Sequence, residues 1–188
     1  IRSRLHLDDI VPAIIQHCLS HTAIDGHLIL DAVLLSRQEG HIVCVMPNQD
    51  STQAMETMKA VAAHNGLALT CGARLSLAAP DTLEPLNVPI EDAGFLFQEP
   101  GPCVGLLWLD AAPCESPEAP SSLEWLGALL PVALETAEHQ QGLSPDALTA
   151  LQQMIQGARC ARLDTKQVET VTQWLKQTPL LISSHAAV

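Results

Sequence analysis

The chain has 188 residues, 47% of them apolar, and a formal net charge of −12; this is enough apolar material for a buried core in one domain, or one domain with an appendage, and too much for an acidic disordered tail. Charge is uneven, with 5 Lys/Arg against 18 Asp/Glu in residues 1–142 and 4 against 3 in residues 143–188, and such an acidic body repels polyanions, which argues against nucleic acid or anionic membrane as partners. No apolar run reaches the ~20 residues of a membrane-spanning helix, and the opening IRSRLHLDD lacks the apolar core of a secretory signal, so no membrane insertion and a cytoplasmic location are expected.

Leu7, Ile10, Val11, Ile14, Ile15, Cys18 and Leu19 recur at helical spacing and predict an opening amphipathic helix, capped by Asp8 or Asp9 with Pro12 in its first turn. After Asp25-Gly26 come two apolar runs, HLILDAVLLS and HIVCVMPN, around a short polar connection containing Gly40. That pattern predicts a hairpin, with a helix over residues 28–36 as its rival. From Asp50 or Ser51, the residues Ala54, Met55, Met58, Val61 and Ala62 mark a helix stopped by Asn65-Gly66. LALTCGARLSLAA resumes alternation, as one strand or two short ones.

Pro80, Pro85 and Pro89 then break the chain before AGFLFQE, the turn EPGP and CVGLLWLDA, a second predicted antiparallel hairpin whose last strand, apolar on both faces, belongs in the centre of a sheet. Ser121 and Glu124 form a capping box ahead of Leu123, Leu126, Leu130, Ala133, Leu134 and Ala137, which predicts a long closing helix bent at Pro131. Ser144-Pro145 opens a further helix, and Asp164-Thr165-Lys166-Gln167 caps another that ends before Pro179. Residues 143–179 thus read as a helical hairpin. The expected organisation is a domain over residues 1–142 and an appendage over 143–188. The expected fold class is α+β, a central antiparallel sheet with helices packed on one face.

The stretch PCVGLLWLDAAPCESPEAPSSLEWLGALLPVALETAEHQQ, with Gly105 to Leu109 as a GxLxL strand, and the opening LHLDDIVPAIIQHCLSHT resemble the closing strand-loop-helix and the first helix of GAF domains. The resemblance covers about residues 5–140 and consists of patterns of apolarity. It implies a divergent or degenerate sensory or regulatory module: a sheet with a small-molecule pocket on one face, and terminal helices that dimerise and relay the bound state. The Asp-x-Cys-Phe motif of bilin-binding members is missing and there is no Tyr. A scaffold or adaptor with a filled sheet face is therefore the alternative.

Cys71, Arg74 and Trp108 are the candidate ligand-binding residues: Cys71 and Arg74 flank Gly72, where an arginine beside a thiol stabilises a thiolate or pairs an anionic ligand, and Trp108, on the central strand, is placed to line the pocket. Their bland counterparts are a structural cysteine, a surface arginine and a core indole. Trp125 and Trp174 fall off the regular apolar stripes and are candidates for a partner surface. His21 to Gly26 spells HxxxDG, similar to the motif of chloramphenicol-acetyltransferase-like acyltransferases, whose histidine is a general base; here it follows a helix rather than a strand. His17 and His21, four apart, could share a metal, but no third ligand stands at recognisable spacing. A nucleotide fold would lack its GxxxxGK[ST] cradle. The six cysteines occur singly and read as buried free thiols. The expectation is a non-enzymatic module without catalytic or metal-ligating residues. The sequence specifies no cofactor, and the expected partners are a second copy or another protein through the terminal helices, with a small ligand.

Overall fold

The computed structural model describes residues 26–37, 40–46, 51–89, 98–110, 120–134, 143–164 and 168–178. The opening helix, the HxxxDG motif up to Asp25, the His17/His21 pair and the AGFLF part of the expected AGFLFQE strand lie outside them; Gln98 and Glu99 are described and are not in a strand. Strands β1 (His27–Arg37) and β2 (Gly40–Val45) form the expected hairpin, in register from Val33↔Cys44 to Arg37↔Gly40. The rival helix over residues 28–36 is thereby excluded: a β-branched and leucine-rich segment buried on both sides satisfies its amides through neighbouring strands. Helix α1 (Ser51–Asn65) turns Ala54, Met58, Val61 and Ala62 inward. It ends where Asn65-Gly66 predicts. Gly66 takes φ 62°, and the amides of Gly66 and Leu67 return to the carbonyls of Ala63 and Ala62, the paired bonds that a left-handed glycine permits at a helix end.

β3 (Ala68–Ser76) is one strand, pairing antiparallel with β1. Gly72, at φ 78°, breaks its register with β4 between Cys71 and Ala73, and a Cβ there would meet Leu86 Cδ1 at 2.8 Å. β4 (Thr82–Pro89) is a strand where the prolines predict a break. It pairs along β3, and with β5 (Gly101–Asp110) only at Thr82↔Pro102 and Leu83↔Gly101. Proline is tolerated where a strand's ladder needs no donor, and among the described residues β5 engages only the first two residues of β4.

The sheet is not antiparallel throughout. β5 runs parallel to β2 and to β7 (Arg159–Asp164), so the sheet is mixed. β7 was hidden in RCARLD, whose composition has no strand-like alternation, and the helical hairpin expected over 143–179 is in fact helix, strand, helix. Six strands form the main path; the two-residue β6 (Ala133–Leu134) adds to β1 at Ile29 and Leu30. The pairings β1–β3–β4–β5–β2–β1 close a ring, weakly, through the two β4–β5 pairs.

Helix α2 (Ser122–Leu129) starts from the predicted capping box: Ser121 N–H and Oγ reach Glu124 Oε2 at 2.8 and 2.7 Å. It is eight residues long, not the long closing helix expected. Pro131 sits in a 3-10 turn (Leu130–Val132) that leads directly into β6, because the proline ring removes a helical donor and the chain finds its partners on β1 instead. The buried side chains of α2 are Trp125, Ala128 and Leu129, whereas Leu123 and Leu130 of the predicted stripe face out. Helix α3 (Pro145–Gly157) begins at the Ser144 cap with Pro145 in its first turn, as predicted, and α4 (Val168–Gln177) follows β7.

The helices cover both sheet faces rather than one. Leu28, Leu30, Leu34, Val43 and Leu106 pack with α2 and α3. Their alternate neighbours Val33, Leu35, Ile42, Cys44 and Leu107 pack with α1 and α4, as the two-residue strand period requires. The architecture is α+β in three layers. No helix among the described residues is long and apolar enough to cross a membrane.

Candidate functional site

The three residues singled out from the sequence do not converge. Cys71 packs on the α1/α4 side of the sheet, and Trp108 packs on the α2/α3 side. Arg74, between Ala73 and Leu75 of the α2/α3 layer, projects to the opposite face by strand alternation. Its Nη1 pairs with Glu84 Oε1 at 3.4 Å across the β3–β4 rung. The guanidinium is therefore committed to a carboxylate, not to the Cys71 thiol. Burial, and then the charge of Asp31, push that thiol up to about 11, so Cys71 is held protonated. Cys160 is likewise raised to about 11, and Cys44 and Cys103 to about 12, all chiefly by burial. Trp108 meets Trp125 edge to face at 5.8 Å and carries the Arg162 guanidinium 4.8 Å over its ring. Neither Trp125 nor Trp174 forms a surface: they are 0% and 8% exposed. Among the described residues no group of three His, Cys, Asp or Glu could hold a metal.

A groove does form where α1 ends beside α4. Its wider part, about 350 Å³, is lined by His64, Val168, Glu169, Thr172, Gln173 and Lys176. An adjoining part of about 250 Å³ is lined by Arg37, His64, Asn65, Leu67, Leu175 and Lys176. Each side chain arrives for a local reason. The glycine-terminated end of α1 holds His64 and Asn65 at the rim, and Asn65 Nδ2 donates to Val61 O at 2.8 Å and to Thr172 Oγ1 at 3.2 Å, tying α1 to α4. Arg37, the last residue of β1, donates from Nη2 to Asn65 O at 3.3 Å, where the carbonyl end of a helix favours a cation. Lys176 stands in the last turn of α4 and has no acceptor among the described residues.

His64 and Lys176 line both parts of the groove; Arg37 joins them in the narrower part with Leu67 and Leu175, and Glu169, Thr172 and Gln173 in the wider part. Such a surface can hold an anionic group at one end and hydrogen-bond a polar group at the other. Sequence reasoning missed this site because Arg37, His64 and Lys176 come from three distant segments. The Asn65-Gly66 helix stop was its one legible component.

No protein-family model matches the chain, and neither a curated protein nor a solved structure matches it.

Proposed function

We propose that the chain is a non-enzymatic regulatory module that binds a small anionic ligand in the groove between α1 and α4. The observation that carries this is the convergence of Arg37, His64 and Lys176 on one concavity of a chain whose net charge is −12. In an otherwise repulsive field, that corner is where an anion finds complementary charge. The groove volumes suit a metabolite rather than a macromolecule, and thiols held protonated by burial favour binding over nucleophilic chemistry. The resemblance of residues about 5–140 to GAF domains points to the same kind of task. The antiparallel sheet expected from the order of elements does not hold around β5, so the groove and not the fold carries the assignment. A protein contact through the terminal helices, with a second copy or another protein, and a cytoplasmic site of action belong to the same proposal.

The test is thermal unfolding in the presence of inorganic phosphate, dicarboxylates, nucleoside phosphates and free amino acids. A ligand at 100 times its Kd stabilises by about 2.7 kcal/mol, a rise of roughly 5–11 °C for a chain of this size. Lys176→Ala should leave the unliganded midpoint within about 2 °C, as for most exposed substitutions, and abolish the rise. A ligand whose shift survives both Lys176→Ala and Arg37→Ala binds elsewhere, and silence across all four classes refutes the proposal.

A further inference from the structure

The side of α2 turned away from the core carries Leu123 and Gly127, and Leu130, the helix cap, continues the same face with helical backbone angles; the three are spaced four and three residues apart and so in line. Leu123 is 78% exposed and Leu130 41%. Isolated surface leucines are ordinary, but here the residue between them is unusual as well. Glycine is a poor helix former compared with alanine, and α2, at eight residues, has little propensity to spare. The fold does not require a glycine at position 127, since a Cβ built there meets nothing within 4 Å. Leucine ridges on either side of a residue with no side chain form a notch into which a side chain from outside can descend.

Charge indicates what fits. Between Arg74 and Arg159 the sequence has no Lys or Arg and 12 Asp/Glu. The only charged side chains of α2 and α3 are Glu124 and Asp146, both exposed. Arg162 of β7 acts on Glu124 from the sheet, with its guanidinium laid over Trp108. A second copy would bring the same acidic face, and a helix of eight residues, about 12 Å long, is too short to provide the ~800 Å² per partner of a stable dimer. We propose that the outer face of α2 docks an amphipathic helix of a partner protein, whose apolar ridge seats on Leu123, Gly127 and Leu130 and whose flanking Lys or Arg side chains meet Glu124 and Asp146. This surface lies on the far side of the sheet from the α1/α4 groove and stands independently of the ligand proposed there.

The probe is a labelled synthetic helix of about 18 residues with a leucine ridge flanked by lysines, followed by fluorescence anisotropy at physiological salt beside the same peptide flanked by glutamates. The lysine peptide should bind with a Kd on the order of 1–100 µM, and the glutamate peptide at least about tenfold more weakly. Gly127→Leu fills the notch without touching the interior; it should keep or raise the melting temperature while weakening the lysine peptide at least about tenfold. Leu123→Asp should weaken it similarly. Equal binding by wild type and Gly127→Leu would reduce the effect to general attraction by an acidic protein and overturn the proposal, as would no binding at all. Concentration-dependent dimerisation that Leu123→Asp abolishes would assign the face to a second copy and overturn it too.

Discussion

Gly105 lies in the middle of β5, between Ile42 of β2 and Arg159 of β7, with Trp174 of α4 above it. A Cβ at this position would come within 2.9 Å of Trp174 Cη2, 3.3 Å of Ile42 Cγ1 and 3.5 Å of the Arg159 carbonyl oxygen. None of these neighbours moves freely. Ile42 is fully buried, the carbonyl is fixed by the β5–β7 ladder, and the indole is held by the Arg159 guanidinium 5.3 Å from its centroid. Replacing a strand glycine by alanine would otherwise stabilise by about 0.5–1 kcal/mol, so the steric effect must reverse that sign. Forcing a methyl into a packed interior costs about 1–3 kcal/mol, and Gly105→Ala is expected to destabilise by about that much, a fall of roughly 2–12 °C in Tm for a chain of this length. The measurement is urea unfolding followed by tryptophan fluorescence, completed as a double-mutant cycle. Trp174→Phe removes the indole atoms that the new methyl strikes, so the pair should be less destabilised than the sum of the singles, by about 1–2 kcal/mol. A neutral or stabilising Gly105→Ala, or an additive cycle, would refute the placement of α4 over β5.

His41 and the thiols give two further expectations. His41 is 2% exposed, its Nε2–H donates to Glu99 O at 3.0 Å, and its Nδ1 accepts from Ser36 Oγ at 2.8 Å; desolvation holds its pKa below 6.5, opposed by the Glu99 carbonyl. The unfolded chain thus binds the proton more readily. The contribution is complete above about pH 6.5 and is lost as pH falls through the folded value, at up to about 1.4 kcal/mol per pH unit. His41→Gln should flatten that part of the urea-stability profile, and an unchanged slope would contradict the burial of a neutral imidazole. Native Cys44, Cys71, Cys103 and Cys160, with thiols raised to about 11 or 12, should alkylate at pH 8 at least about 100-fold more slowly than in the denatured chain. Peptide mapping by mass spectrometry reads each site separately, and rapid labelling of Cys71 would show that its environment is not the one described.

The sequence by itself determined the parts of this protein whose causes are local. The inward stripe of α1 and its stop at Asn65-Gly66, the Ser121/Glu124 capping box, the Ser144-Pro145 start of α3 and the β1–β2 hairpin each depend on residues within one or two turns of one another. Tertiary structure decided the rest. Pro85 and Pro89 sit in a strand because β3 pairs along β4 while, among the described residues, β5 engages only Thr82 and Leu83 of it. RCARLD becomes β7 because β5 offers it an edge, and the direction of β5 follows from the neighbours that distant chain segments bring to it. Pro131 ends α2 instead of bending it because β1 can accept Ala133 and Leu134 as β6. The groove needed the ends of β1, α1 and α4 to meet. Capping and periodicity act over a few bonds and leave a mark on the amino acids concerned, whereas strand direction, edge position and the meeting of remote side chains depend on contacts between segments that no local pattern encodes.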